Sequence, residues 1–272
     1  MTIAKDGASG QWVDCHVHIF SRSLKLAAAR RYQPDYEASP ACLIETMTRH
    51  NVGKAVLVQP SFLGTDNSYL LGAVAQNSDR FRAVAVIDPD VSAAEIANLA
   101  AQGVVGVRLN LIGRRAPDLR SASYRHFGQR LAEFGLFLEI QAENDQWCAI
   151  APALSDIPCA IVIDHFGRTS PSDPSGGLRA LMRSVRKEDF WFKFSGPYRF
   201  GFDAAKECAD IILDGVGIER IVWGSDWPWT QFEGRHSYQD CLRWLSEWVP
   251  EDKHLSVLRD NAFRLMKFSE PL

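Results

Sequence analysis

Two imidazoles stand one residue apart in Asp14-Cys15-His16-Val17-His18, and side chains alternate along a strand, so His16 and His18 share one side. With Val13, Cys15 and Val17 turned toward surrounding helices, Asp14 and both histidines are expected to face inward. Burying an imidazole pair without a task is costly, which favours a working site over two incidental polar residues. A third histidine comes from Ile163-Asp164-His165, followed by Gly167-Arg168, and a carboxylate from Gly224-Ser225-Asp226-Trp227-Pro228. Such a set suits hydrolysis: a carboxylate takes a proton from water as it attacks, while imidazoles polarise the carbonyl. No Gly-rich phosphate loop, Walker sequence or G-x-S-x-G elbow occurs, so nucleotide chemistry and a serine nucleophile are disfavoured and water is the expected nucleophile.

Arginines cluster around the same segments. Arg108 and Arg114 flank one strand end, Arg168 follows His165 by three positions, and Arg199 lies in Ser195-Gly196-Pro197-Tyr198-Arg199. Planar, bidentate guanidinium groups suit carboxylates, so these four are candidate binders of a small anionic substrate. Arg115 and Arg120 read better as partners of nearby acids. Gln59, Ser61, Asn110, Gln141 and Tyr198 are further binding candidates, each with a competing role in satisfying backbone groups. Trp227 and Trp229 could stack on a planar ring or pack beneath it. His50, His126, His236 and His254 fall on expected helices or their ends and read as surface residues.

The elements that must position these groups follow from periodicity. Eight apolar runs read as strands: 12–20, 55–61, 81–89, 104–111, 137–143, 160–167, 190–196 and 220–228, each followed by a stretch with helical spacing. Ser92 with Glu95 has capping-box spacing, and Gly53, Gly103, Gly135 and Gly215 fall where helices should end. Eight regular β-α units with a terminal helix near Lys253 to Phe268 fit a single (β/α)8 TIM barrel better than an open sheet. The longest irregular stretches, Ser21–Ser39, Arg168–Gly177 and Trp227–Ser237, all follow strands, the end at which such barrels build active sites. Residues 1–11 are expected to be a flexible segment ahead of one barrel domain spanning 12–272.

Composition narrows the class. The 272 residues are 46% hydrophobic and 23% charged, a globular composition. Thirty Lys and Arg against thirty-three Asp and Glu give a net charge of -3, which favours neither nucleic acid nor an anionic membrane as partner. Six dispersed cysteines form no C-x-x-C pair and read as reduced thiols. Without a signal-peptide pattern or an apolar run of about 18 residues, the expected location is the cytoplasm. Composition leaves the oligomeric state open.

His16-x-His18, His165 and Asp226, taken with Gly106-Val107-Arg108-Leu109-Asn110, Asp164-His165-Phe166-Gly167-Arg168, Ser195 to Arg199 and Trp223 to Pro228, resemble the amidohydrolase superfamily, in its amidohydrolase-2 branch. Within that branch the chain is similar to the 2-pyrone-4,6-dicarboxylate lactonase group over nearly its whole length. The resemblance implies His16, His18 and His165 aimed at a lactone carbonyl, Asp226 as base, and the arginines on substrate carboxylates. Many superfamily members hold one or two divalent metals, with a Lys or Glu on the fourth strand and a His on the fifth. Neither is evident here, and Gln141, a poor zinc ligand, stands where that His is expected. The resemblance therefore implies a lactone hydrolase without cofactor. Two alternatives stay open: a metal-dependent amidohydrolase acting on a sugar lactone, with His16, His18, His165 and Asp226 holding one ion such as zinc or manganese, and a non-catalytic barrel that binds carboxylates.

Overall fold

A computed structural model describes residues 12–170, 172–174 and 176–269. The N-terminal segment 1–11, read from sequence as flexible, lies outside the described residues. Eight parallel strands form one sheet in chain order: β1 (Trp12–Val17), β2 (Val52–Val58), β3 (Phe81–Ala85), β4 (Val104–Asn110), β5 (Phe137–Gln141), β6 (Ile161–Ile163), β7 (Phe190–Phe194) and β8 (Ile221–Trp223). The chain after β8 closes the barrel onto β1: His18 N donates to Trp227 O at 2.8 Å and Asp226 N to His16 O at 2.9 Å. Helices α1 (Pro40–Arg49), α2 (Ser68–Gln76), α3 (Ala93–Ala101), α4 (Ala122–Glu133), α5 (Gln146–Leu154), α6 (Gly177–Ser184), α7 (Phe202–Val216) and α8 (Tyr238–Trp244) surround it. This is the (β/α)8 architecture expected from the periodicity. Among the described residues no helix is long and apolar enough to cross a membrane.

Two apolar layers hold the barrel. The larger lies between strands and helices; the smaller gathers Val13, Cys15, Val56, Val58, Val84, Val105, Phe137, Val162, Trp191 and Val222, one or two residues from each strand, and therefore fills the barrel interior. Ala262, Phe263, Leu265, Met266 and Phe268 join that inner layer, so the last helix, α9 (Asn261–Met266), plugs the barrel floor. The terminal helix expected from Lys253 to Phe268 is broken into a 3-10 turn, a π-helical turn over Ser256–Asp260 and α9. Buried Asn261 fastens α9 by donating to Ile218 O and Ile221 O, both at 2.8 Å.

Three sequence expectations are corrected. Gly53 lies inside β2, and α7 runs through Gly215 to end at Gly217. His254 is buried rather than exposed, its Nε2 donating to Val249 O at 2.9 Å, because the chain folds back under the barrel there. Strand alternation is also interrupted in β1: Asp14 faces Ala55 and Val17 faces Leu57, three steps on β1 against two on β2. That extra residue is a bulge. It lets Val13 and Cys15 point into the barrel and still brings His16 and His18 inside, while Asp14 points away from the axis. Asp14 instead accepts from Ser225 N at 2.9 Å and from the Tyr238 hydroxyl of α8 at 2.7 Å.

Candidate active site

The barrel's C-terminal mouth opens on a cavity lined by His18, His165, Asp226, Arg31, Arg108, Arg168 and Arg199, with Tyr32, Ser61, Asn110, Gln141, Thr230 and Phe232 around them. His16 and Asp226 lie at its floor, fully buried. The imidazole of His16 lies 5.0 Å from that of His18 and 4.7 Å from that of His165, centroid to centroid. All three present Nε2 to one carboxylate: His18 at 3.6 Å and His16 at 3.9 Å from Asp226 Oδ1, and His165 at 4.0 Å from Oδ2. Asp226 Oδ1 and His16 Nε2 have no hydrogen-bond partner among the described residues although both are buried. Two orphaned polar atoms facing one point are expensive unless something polar comes to rest between them.

Backbone geometry sets these side chains. His165 (φ 50°) and Asp226 (φ 61°) occupy the left-handed region, which costs non-glycine residues on the order of 1 kcal/mol each and is concentrated at functional sites. Gly196, also left-handed at φ 55°, lies between them: a Cβ there would stand 2.9 Å from both Asp226 Oδ2 and His165 Nδ1. Gly196→Ala is expected to cost about 1–3 kcal/mol in denaturant unfolding and to lower activity by pushing Asp226 and His165 apart. Unchanged stability and turnover would remove Gly196 from the site's design. Gly224 has the same function between β8 and β1, since a Cβ would meet His16 Cβ at 2.6 Å.

The electrostatics separate acid from base. Burial alone would raise the pKa of Asp226, but the positive charge of Arg199, foremost, and the neighbouring His165 and His16 imidazoles hold it well below the usual carboxylate range. Its Oδ2 accepts from Arg199 Nε at 2.5 Å and from the Tyr198 hydroxyl at 2.7 Å. Burial pushes His165 down to about 3, against the opposing pull of Asp226 and Asp164, and pushes His16 well below the ordinary imidazole range. At neutral pH the floor therefore holds an ionised Asp226 beside two neutral imidazoles. Each ring is anchored from behind: His18 Nδ1 donates to Val58 O at 2.7 Å, and His165 Nδ1 lies 2.8 Å from Ser195 Oγ.

The four arginines proposed from sequence are placed unequally. Arg108 lines the cavity but spends its guanidinium on Asp164 Oδ2 at 2.8–2.9 Å and on Gln141 Oε1 at 2.9 Å. Arg168 pairs with Glu143 at 3.1 Å, and Arg199 with Asp226. Arg114 is exposed in an adjoining hollow with Arg30 and Arg31 rather than in the main cavity. Ser61 and Asn110 line both spaces. Gln59 does not line the cavity: its amide donates to Asp66 O at 2.8 Å and to Gly64 O, fastening the loop after β2. Tyr198 acts on Asp226, and Trp227 and Trp229 pack beside the cavity rather than in its lining, with Trp229 Nε1 bonded to Ser225 O.

Sequence reasoning missed Arg31, which lies at the rim with no ion-pair partner among the described residues. It lies in an irregular loop, where no periodicity marks it. Glu139 and Lys193 were also missed, although each is a charge inside an apolar strand run, Phe-Leu-Glu-Ile-Gln and Phe-Trp-Phe-Lys-Phe. Both are fully buried beneath the histidines.

Comparison with known proteins settles the family. The profile described as amidohydrolase matches residues 13–268, nearly the whole chain. The chain belongs to the amidohydrolase family. This amidohydrolase superposes on the crystal structure of a probable 2-pyrone-4,6-dicarboxylic acid hydrolase from Acinetobacter baumannii with citric acid bound, at TM-score 0.90 and 33% identity, covering 95% of this chain and all of that one. It is 26% identical to a 4-sulfomuconolactone hydrolase of Hydrogenophaga intermedia over 94% of this chain and 88% of the relative. A D-galactarolactone isomerase of Agrobacterium fabrum is also 26% identical, over 80% of this chain and 77% of the relative.

Some amidohydrolases carry metal, and this site holds a candidate donor set. His16, His18 and Asp226 offer ligand atoms within 4.8 Å of one another, and two of those atoms are the orphans described above. By spacing alone the three could gather a single divalent ion, which would supply Lewis-acid polarisation of a bound carbonyl.

Proposed function

We propose that this amidohydrolase hydrolyses a small lactone bearing carboxylate groups, with Asp226 as the base and without a bound metal. The observation that carries the reading is Asp226 itself. One oxygen is held by Arg199 and Tyr198, and the other is buried, unpartnered and ringed by imidazole nitrogens, the position a nucleophilic water would take. Glu143, Asp164 and Asp226 offset Arg168, Arg108 and Arg199, and Arg31 in the cavity lining has no ion-pair partner among the described residues, which leaves positive charge for an anionic substrate. Positive groups placed against the donor atoms also oppose a resident cation: Arg199 sits 2.5 Å from Asp226, and Lys193 lies 3.1 Å behind His16.

The steps follow from the residues in place. The lactone carbonyl faces His16 and His165, which stabilise charge developing on its oxygen. Asp226 takes a proton as water oxygen bonds to the carbonyl carbon. When the ring C–O bond breaks, that proton returns to the departing oxygen, leaving a ring-opened acid. In the free enzyme Arg199 weakens Asp226 as a base; a substrate carboxylate competing for the guanidinium restores its proton affinity at the moment water must be deprotonated. The same path runs backward to ring closure.

Hydrolysis of 2-pyrone-4,6-dicarboxylate by chelator-treated protein, with residual metal counted in the same sample, tests the reading. Full turnover in metal-free protein is the expected result. Turnover only after a divalent ion is restored would recast His16, His18 and Asp226 as ligands.

A further inference from the structure

Beneath the histidines lies a buried charged layer that the reaction does not touch. Lys193 of β7, Glu139 of β5 and Asp164 after β6 are each fully buried. Lys193 Nζ donates to Glu139 Oε2 at 2.5 Å and lies 3.5 Å from Asp164 Oδ1, so two carboxylates face the ammonium. Its third neighbour is His16 Nδ1, at 3.1 Å and in hydrogen-bonding geometry. Asp164 Oδ1 is equally near that nitrogen, at 3.2 Å, but is left without a hydrogen-bond partner.

An ammonium has donors only, so in this contact His16 Nδ1 must accept. The ring proton of neutral His16 then sits on Nε2, the orphaned atom that faces the reaction point. His18 is arranged the opposite way. Its Nδ1 meets the carbonyl of Val58, which can only accept, so in the neutral ring the bare lone pair is on Nε2, toward Asp226 Oδ1. We propose that Lys193 is a positioning residue that fixes His16 as a donor opposite an acceptor at His18, dividing the pair into an oxyanion-facing N–H and a water-facing lone pair. The proposal rests on the metal-free reading for its use in catalysis, although the tautomers are set by the fold alone. It has a second consequence. A metal ion needs lone pairs from both Nε2 atoms, and Lys193 withholds the one on His16.

The test begins with the unaltered protein. Ring 15N shifts of metal-depleted, histidine-labelled protein, assigned with single His→Asn variants, are expected to show His16 as Nε2–H and His18 as Nδ1–H. His16 as Nδ1–H or as an imidazolium would overturn the proposal. Lys193→Met keeps the stem and removes the donors. It is expected to switch His16 to Nδ1–H, donating to Asp164, and to lower kcat about 100-fold with KM unchanged. It should also raise affinity for added Co(II), followed by visible absorbance, about tenfold or more over the parent. An unswitched His16 in this variant would equally overturn it. Because Lys193→Met leaves Glu139 unpaired, Lys193→Met with Glu139→Gln is the companion variant if the single one does not fold. Absent lactone turnover in metal-free parent protein that still shows Nε2–H at His16 would reject the hydrolase reading and leave the tautomer assignment standing.

Discussion

Asp226→Asn is expected to lower kcat by about a thousandfold while substrate or product still binds, the two measured by turnover and by calorimetry on the same preparation. The amide is nearly isosteric, and its oxygen can still accept from Arg199 and Tyr198, so the cavity keeps its shape. Among the described residues that line the cavity, what disappears is the one carboxylate, the group there able to take a proton from water while carrying negative charge. His165 cannot replace it, since burial holds that imidazole at about 3 and leaves it a poor acceptor. Water would then attack without a base, and only the positioning and oxyanion contributions would remain. A near-normal kcat would remove Asp226 from that role and pass it to His18, whose Nε2 lone pair lies beside the same point.

The floor of the cavity was legible in the sequence because its signals are local. His16-x-His18 lies on one strand, and His165 and Asp226 each sit just past the end of an apolar run, where a parallel barrel gathers chemistry. The bulge in β1 was not legible. Pairing with β2 creates it, and it inverts the assignments of Val13, Asp14 and Cys15 while leaving those of the two histidines correct. The arginines were found by type but not by state. Sequence spacing brings Arg108, Arg168 and Arg199 to one mouth; the fold adds that Asp164, Glu143 and Asp226 already neutralise them, whereas Arg31 at the rim has no ion-pair partner among the described residues. That difference bears on binding. A substrate carboxylate meets Arg31 without displacing a protein partner, but at Arg199 it must exchange with the base itself.

Arg199→Met should show that exchange from the other side, through stability and pH dependence together. In the parent, Arg199 is raised above its ordinary range by Asp226 despite the opposing effect of burial, and Asp226 is held below its own by Arg199. A carboxylate whose folded pKa is depressed contributes stability that is present above the unfolded pKa and lost as pH falls through the folded one. In the parent, then, the Asp226 contribution persists at neutral pH and disappears only well below the ordinary carboxylate range. Removing the guanidinium leaves Asp226 buried with Tyr198 and the imidazoles as its remaining neighbours. Its pKa rises, and unfolding free energy at neutral pH is expected to fall by about 3–5 kcal/mol, the cost of breaking one side of a buried pair. The acid limb of kcat/KM should move to higher pH in step, because the base now protonates more readily. Arg199→Lys should recover part of both effects by restoring a cation, without the planar fork that bridges Asp226 and the cavity. Lost stability with an unmoved acid limb would mean that Asp226 does not titrate as the base, whereas a moved limb with unchanged stability would mean that the pair is not the buried contact described here.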